Sequence, residues 1–389
     1  MGYADWAALL VGVAGVIAAI GAIERGKGIY GFFAALLVGT ALFLALATEV
    51  HHNDGSTAAS RLSSPVAGAP RTSPYLQVEL SQPIGSATIY SATFNDAGTQ
   101  LAVSASNGST YIWSTVTDKL IKTLPDPNTG SNGVYSAAYS PDDSVLVTQD
   151  SSGVAYVWNA ISYQLIETFT DPDSVTGETG GGAEISPDGS LLVTWIAPGA
   201  VNFWNLATRQ IVAGFADPDP NGKGFNVFSF SLDGKTLAFA DGAGNIYLWN
   251  LAERVVTETL IDPDTGSGGV NSLSFNARGS LLATADSNGK IYLWSVENGK
   301  VTATWADPST GSSGPWDVNF SPDGTLMASD SNGETYLWNT TTGQVTATLV
   351  DPHAGSSGAW DAIYNNDGTV IATLDSNNSI YLWTVPNTA

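Results

Sequence analysis

Few residues of this chain are equipped for covalent or metal chemistry. It contains no cysteine, and two of its three histidines, His51 and His52, lie early, so that His353 stands alone beyond residue 75. A Ser-His-Asp relay needs an imidazole beside its nucleophile and a histidine-rich metal centre needs several, so neither is predicted. Carboxylates are the one abundant reactive group, with 36 Asp and Glu against 13 Lys and Arg. At that density some acids fall close together in any fold, and spacing alone nominates no general acid or base. The chain is expected not to be an enzyme. One stretch is patterned for a cation. Asp217-Pro218-Asp219-Pro220-Asn221-Gly222 matches the opening of a calcium loop, in which hard oxygens alternate and glycine takes the sixth place. Asp217, Asp219 and Asn221 are the candidate calcium ligands, and Asp262-Pro263-Asp264 echoes them; the ninth and twelfth places, however, are Phe225 and Phe228. No other cofactor is implied.

The segments that carry these residues differ sharply along the chain. Residues 1–50 hold two uncharged apolar runs, Trp6 to Ile23 and Ile29 to Ala47, each near the ~20 residues that span a ~30 Å hydrocarbon core. Small residues at four-residue spacing, Ala8/Gly12, Ala14/Ala18 and Ala35/Gly39, let helix backbones approach closely. A transmembrane helical hairpin over about 6–23 and 29–47 is predicted. The rival, a cleaved signal peptide, lacks its basic n-region at Met1 to Asp5. The connection Glu24 to Gly28 carries Arg25 and Lys27, which favours a cytoplasmic loop and places both chain ends outside. Residues 51–74, rich in Ser, Ala, Gly, Pro and Thr, bury too little apolar area to order themselves and read as a flexible linker.

From residue 75 onward, thirty-two acids face nine bases, a net charge of −23. That field repels nucleic acid and anionic headgroups and attracts cations or basic partner segments, although solubility or adaptation to salt asks for the same composition. Here an aromatic-aliphatic-Trp run recurs, from Tyr111-Ile112-Trp113 to Tyr381-Leu382-Trp383, with tryptophans at 113, 158, 204, 249, 294, 338 and 383. Seven units of about 45 residues each hold four short β-rich segments separated by turn residues. In one unit the predicted strands are Val270 to Phe275, Leu281 to Ala285, Lys290 to Val296 and Lys300 to Ala306. The last unit stops after its third strand, and an unpaired strand, 76–81, stands at the start; Leu80 and Pro83 align with Leu349 and Pro352. The N-terminal strand is expected to complete the last sheet and remove the exposed edges.

Period, Ser-Pro-Asp-Gly turns (Ser186 to Gly189, Ser321 to Gly324) and Tyr-Leu-Trp strands make residues 75–385 resemble the WD40 repeat family. In style they are closest to the repeats that follow a transmembrane segment in actinobacterial membrane-anchored Ser/Thr kinases, without the kinase part. The resemblance implies an all-β, seven-bladed WD40-like β-propeller over 75–389, which the hairpin read from the two apolar runs precedes. The chain departs from the family in two places. An Asp-Pro loop replaces the usual Gly-His pair, and Asn or Ser mostly replaces the Asp after Trp, so the family's histidine-containing tetrad must be replaced by another brace.

The resemblance also implies that partners bind the face formed by the loops entering the innermost strands and by the second turns. The family's contact position on each innermost strand is occupied here by Tyr90, Tyr135, Gly181, Asn226, Asn271, Trp316 and Trp360. In a closed ring Trp316, Trp360, Tyr90 and Tyr135 are consecutive and form an aromatic arc, either as binding anchors or as packing between blades. Asp150, Asp241, Asp286, Asp330 and Asp375 begin the second turns, with Ala105 and Ile196 breaking the series. They serve either a cationic or basic partner or their own turns. The leading expectation is a recognition or sensor module at the cell membrane, facing outward, for a protein, peptide or glycan. The alternatives are an accessory subunit of a membrane complex and, more distantly, a hydrolase, which would need facing carboxylates in the channel.

Overall fold

The computed structural model describes residues 74–386 apart from 81–84, 86, 130, 173–180, 197–199, 217–223, 264–268, 310–313 and 353–357. The predicted hairpin, nearly all of the linker, the candidate calcium ligands Asp217, Asp219 and Asn221, and His353 lie outside the described residues. Among the described residues, no helix is long and apolar enough to cross a membrane.

These residues form twenty-eight strands in seven four-stranded antiparallel sheets, six of them meanders of four consecutive strands. In the fifth blade the strands are β18 (Val270–Phe275), β19 (Leu281–Asp286), β20 (Lys290–Ser295) and β21 (Lys300–Ala306). β19 and β20 are buried along nearly their whole length because each sheet is covered on both faces by its neighbours, which favours continuous apolar runs over alternation. β21, at the rim, alternates between exposed and half-buried positions as a strand with one solvated face does. The core is therefore a set of junctions between blades: Ala283, Ile291 and Leu293 of blade five pack on Val318, Leu326, Tyr336 and Trp338 of blade six.

The innermost strands are β2 (Ile89–Phe94), β6 (Val134–Tyr139), β10 (Gly181–Ile185), β14 (Phe225–Phe230), β18, β22 (Pro315–Phe320) and β26 (Ala359–Tyr364); they lie side by side from β14 through β18, β22, β26, β2 and β6 to β10, and blades three and four meet where Val193, Val201 and Phe203 pack on Phe225. Blade seven is assembled from both ends of the described chain. Its inner three strands are β26, β27 (Val370–Asp375) and β28 (Ile380–Thr384), and its outermost is β1 (Leu76–Leu80). β1 runs antiparallel to β28, pairing Leu76 with Trp383 and Leu80 with Ile380. Leu80 is buried among Ile89 and Leu101 of blade one and Leu374 and Leu382 of blade seven, so the same strand seals the sheet and the seam beside it.

Candidate recognition face

Six of the seven innermost strands carry a β-bulge at the same place. Pairing with the second strand skips Tyr90, Tyr135, Asn226, Asn271, Trp316 and Trp360. A bulged residue leaves the ladder, bends its strand and re-aims its side chain. The residues singled out by sequence are thus those the backbone sets apart. Blade three is the exception: β10 pairs without a slip, Gly181 facing Ile196, and the ring of Trp195 occupies the space a side chain at Gly182 would need.

The four aromatics of the arc meet different fates. Tyr90 and Tyr135 stack on each other, ring centroids 4.5 Å apart and nearly parallel. Trp360 is half-buried and packs on the cluster around Leu80 and Ile89. Trp316 is 42% exposed, the one exposed aromatic of the set.

One residue further along, the inner strands brace one another. Ser136 Oγ accepts from the Ala183 N–H at 2.8 Å, and Ser272 Oγ accepts from the Val318 N–H at 3.3 Å. In blade six the brace is Asp317, whose Oδ1 accepts from Ser272 Oγ at 2.5 Å and whose Oδ2 accepts from the Ala362 N–H at 3.2 Å. Asp361 continues the series by accepting from the Ala92 N–H. Surrounding strands desolvate both acids and raise their pKa values, and the charge of Asp317 raises Asp361 further. Glu184 on β10 is pushed up to about 8 by burial alone. Sequence reasoning did not single out Asp317, Asp361 or Glu184. Their only signal was position, one or three residues past the bulge site. The two aspartates are neighbouring braces whose oxygens already accept backbone or hydroxyl hydrogens, an arrangement suited to structure more than to acid catalysis.

Asp150, Asp241, Asp286, Asp330 and Asp375 are all at most 2% exposed. Each caps its own turn. Asp330 Oδ1 accepts from the N–H groups of Asn332 and Glu334, both at 2.9 Å, and Asp375 Oδ1 from those of Asn377 and Ser379, both at 3.0 Å. Asp150 and Asp241 also take the phenol hydrogens of Tyr156 and Tyr247.

The replacement for the family's tetrad is clearest between blades two and three. Trp204 Nε1 donates to Thr194 Oγ1 at 2.9 Å, Thr194 Oγ1 donates to Asp171 Oδ2 at 3.1 Å, and Asn202 Nδ2 donates to the same carboxylate at 3.0 Å. Asp171 opens the Asp-Pro loop that stands in place of the Gly-His pair. The Trp-to-Thr half recurs at Trp158 and Thr148, Trp294 and Thr284, and Trp383 and Thr373. Backbone contact completes the loop packing. Gly358, with φ of 101°, lies so near Ser331 of the preceding blade that a Cβ would come within 2.3 Å of its backbone.

A closed ring of seven four-stranded antiparallel sheets defines a β-propeller. Residues 118–159 and 300–339 match the family model described as WD domain, G-beta repeat. Residues 237–312 match that of the anaphase-promoting complex subunit 4 WD40 domain. The ring is a seven-bladed propeller whose matched stretches are WD40 repeats. Each G-beta match begins at a fourth strand and ends at the third strand of the following blade, the same offset by which β1 closes blade seven. No curated protein matches the chain.

Proposed function

We propose that the protein is a membrane-anchored, non-catalytic recognition module whose upper face grips a protein or peptide partner, with Trp316 as its anchor. WD40 propellers generally act as protein-interaction modules. The observation that carries the reading is the contrast within the arc: Trp316 alone of its aromatics stays exposed, on a bulge held from beneath by Asp317. Large amphipathic rings on a rigid scaffold are the usual centres of binding energy. Trp360, Tyr90 and Tyr135 form the floor and flank of the same surface. Asp286, Asp330 and Asp375 hold its loops and add to a negative field that favours a basic partner. Anchoring rests on the two apolar runs before residue 48, with the propeller outside the cell.

The test is affinity capture from gently solubilised membranes with the full chain as bait. Loss of the captured protein in Trp316→Ala, with unfolding unchanged, supports the reading; undiminished capture overturns it. A second reading, an accessory subunit whose hairpin docks into a larger membrane complex, is favoured by the match to a domain named for a subunit of a complex. In that case the same capture returns stoichiometric partners that survive Trp316→Ala and are lost when residues 1–50 are removed.

A further inference from the structure

The apolar cluster at each blade junction takes in the last residue of the following blade's innermost strand. At six junctions that residue is aromatic: Phe94, Tyr139, Phe230, Phe275, Phe320 or Tyr364. Between blades two and three it is Ile185. The neighbouring junction shows what the larger ring does. Between blades one and two the phenol hydroxyls of Tyr139 and Tyr163 both donate to Gln100 Oε1, at 3.1 and 3.3 Å, and plug the groove. One repeat further on, the same three places hold Ile185, Arg209 and Val145. Both rings and the amide are gone, and a cleft of about 590 Å³ opens there.

The lining of the cleft is divided by chemistry. Val145, Val157, Phe169 and Leu206 give it an apolar floor. Arg209, the one basic residue lining it, is already paired with Glu167 on the outermost strand of blade two, Nη2 to Oε2 at 2.6 Å. The first turns of blades two and three form its walls and contribute Asp142 and Asp188. Ser140 Oγ donates to Asp142 Oδ1 and Ser186 Oγ to Asp188 Oδ1, both at 2.6 Å. The N–H groups of Ser144 and Ser190 donate to the same oxygens. These bonds, the serine hydroxyls foremost, hold both carboxyls below the usual carboxylate range, Asp142 at about 2. With Glu167 answering Arg209, two negative charges are left at the mouth at neutral pH.

We propose that this cleft binds a small aromatic amine, its ring lying over Val157 and Phe169 where other junctions carry a ring of their own, and its ammonium group facing Asp142 and Asp188.

Apolar clefts of roughly 300–1,000 Å³ with a few placed polar groups are the usual form of a small-ligand site. Ring on ring with Phe169 adds to the burial of apolar area. An anionic ligand would meet two unanswered carboxylates and an arginine that is already engaged, so the charge pattern selects a cation. The cleft lies at the opposite end of the blades from Trp316, which stands near the start of its innermost strand whereas Ile185 ends one. Its ligand is therefore independent of the partner proposed for the upper face.

The test is a ligand-observed NMR titration of the full chain with two probes of one shape: tyramine, a phenol with an ethylammonium arm, and 4-hydroxyphenylacetate, the same ring with a carboxylate arm. Tyramine should saturate with a Kd of roughly 1 mM or tighter, and the anion should bind at least about tenfold more weakly. Two variants locate the site. Ile185→Phe restores the ring of the other junctions, fills the cleft and should abolish saturation. Asp142→Asn combined with Asp188→Asn keeps acceptors for the serine hydroxyls, removes both charges and should weaken tyramine roughly fivefold. No saturation of the wild type below about 10 mM, equal binding of the two probes, or wild-type affinity in either variant overturns the proposal. Should Ile185→Phe fail to fold, the double charge variant decides alone, because its substitutions lie in exposed turns and leave the core untouched.

Discussion

Trp316 and Trp360 are one residue type at one repeat position, yet their surroundings assign them different work. Trp316→Ala removes an exposed ring and should shift unfolding by no more than about 0.5 kcal/mol while abolishing capture. Trp360→Ala opens a hole beside Leu80 and Ile89 and should cost about 2 kcal/mol, read from denaturant midpoints. A double variant would mix the two effects, so the single variants are the informative pair. That these positions recur was legible from the period of the repeat. Which of them points to solvent was not, because exposure depends on the facing blade: Tyr135 is covered by Tyr90, its partner 45 residues away. The second-turn acids show the same limit. Their recurrence was readable, but burial and the backbone N–H groups they accept arise only when the turn closes around them.

The blade is the element, and the seventh shows what an element needs from distant sequence. Without β1, β28 would be an open edge and Ile89 and Leu374 would lose the cover of Leu80. Leu80→Ala should therefore cost about 3 kcal/mol and speed hydrogen exchange along β28 more than along β20, measured by mass spectrometry. A second requirement lies in the loops. Gly358→Ala places a methyl against the Ser331 backbone at a φ that L-residues avoid, and should cost on the order of 3 kcal/mol by thermal unfolding. Strand bounds were readable from periodicity to within a residue in blade five: β19 runs on to Asp286 and β20 stops at Ser295. The six inner-strand bulges were not readable, because an extra residue in a ladder is defined by the partner strand's register.

At the scale of the molecule, a charge of −23 over the chain with two described salt bridges leaves its repulsion largely to solvent and counterions. Raising salt from about 0.05 M to about 0.5 M should weaken capture of a basic partner by roughly tenfold or more while raising the unfolding temperature, since screening shortens both the attraction and the self-repulsion.

The sequence by itself determined the number of blades, the order of strands within them and the poverty of catalytic groups, because period, turn chemistry and residue type are local properties that repetition amplifies. It also marked which positions recur on the upper face. Tertiary structure decided what surrounds those positions. Whether a tryptophan is exposed or packed, and whether an aspartate faces an amide or a threonine, depends on the neighbouring blade, which no single repeat contains.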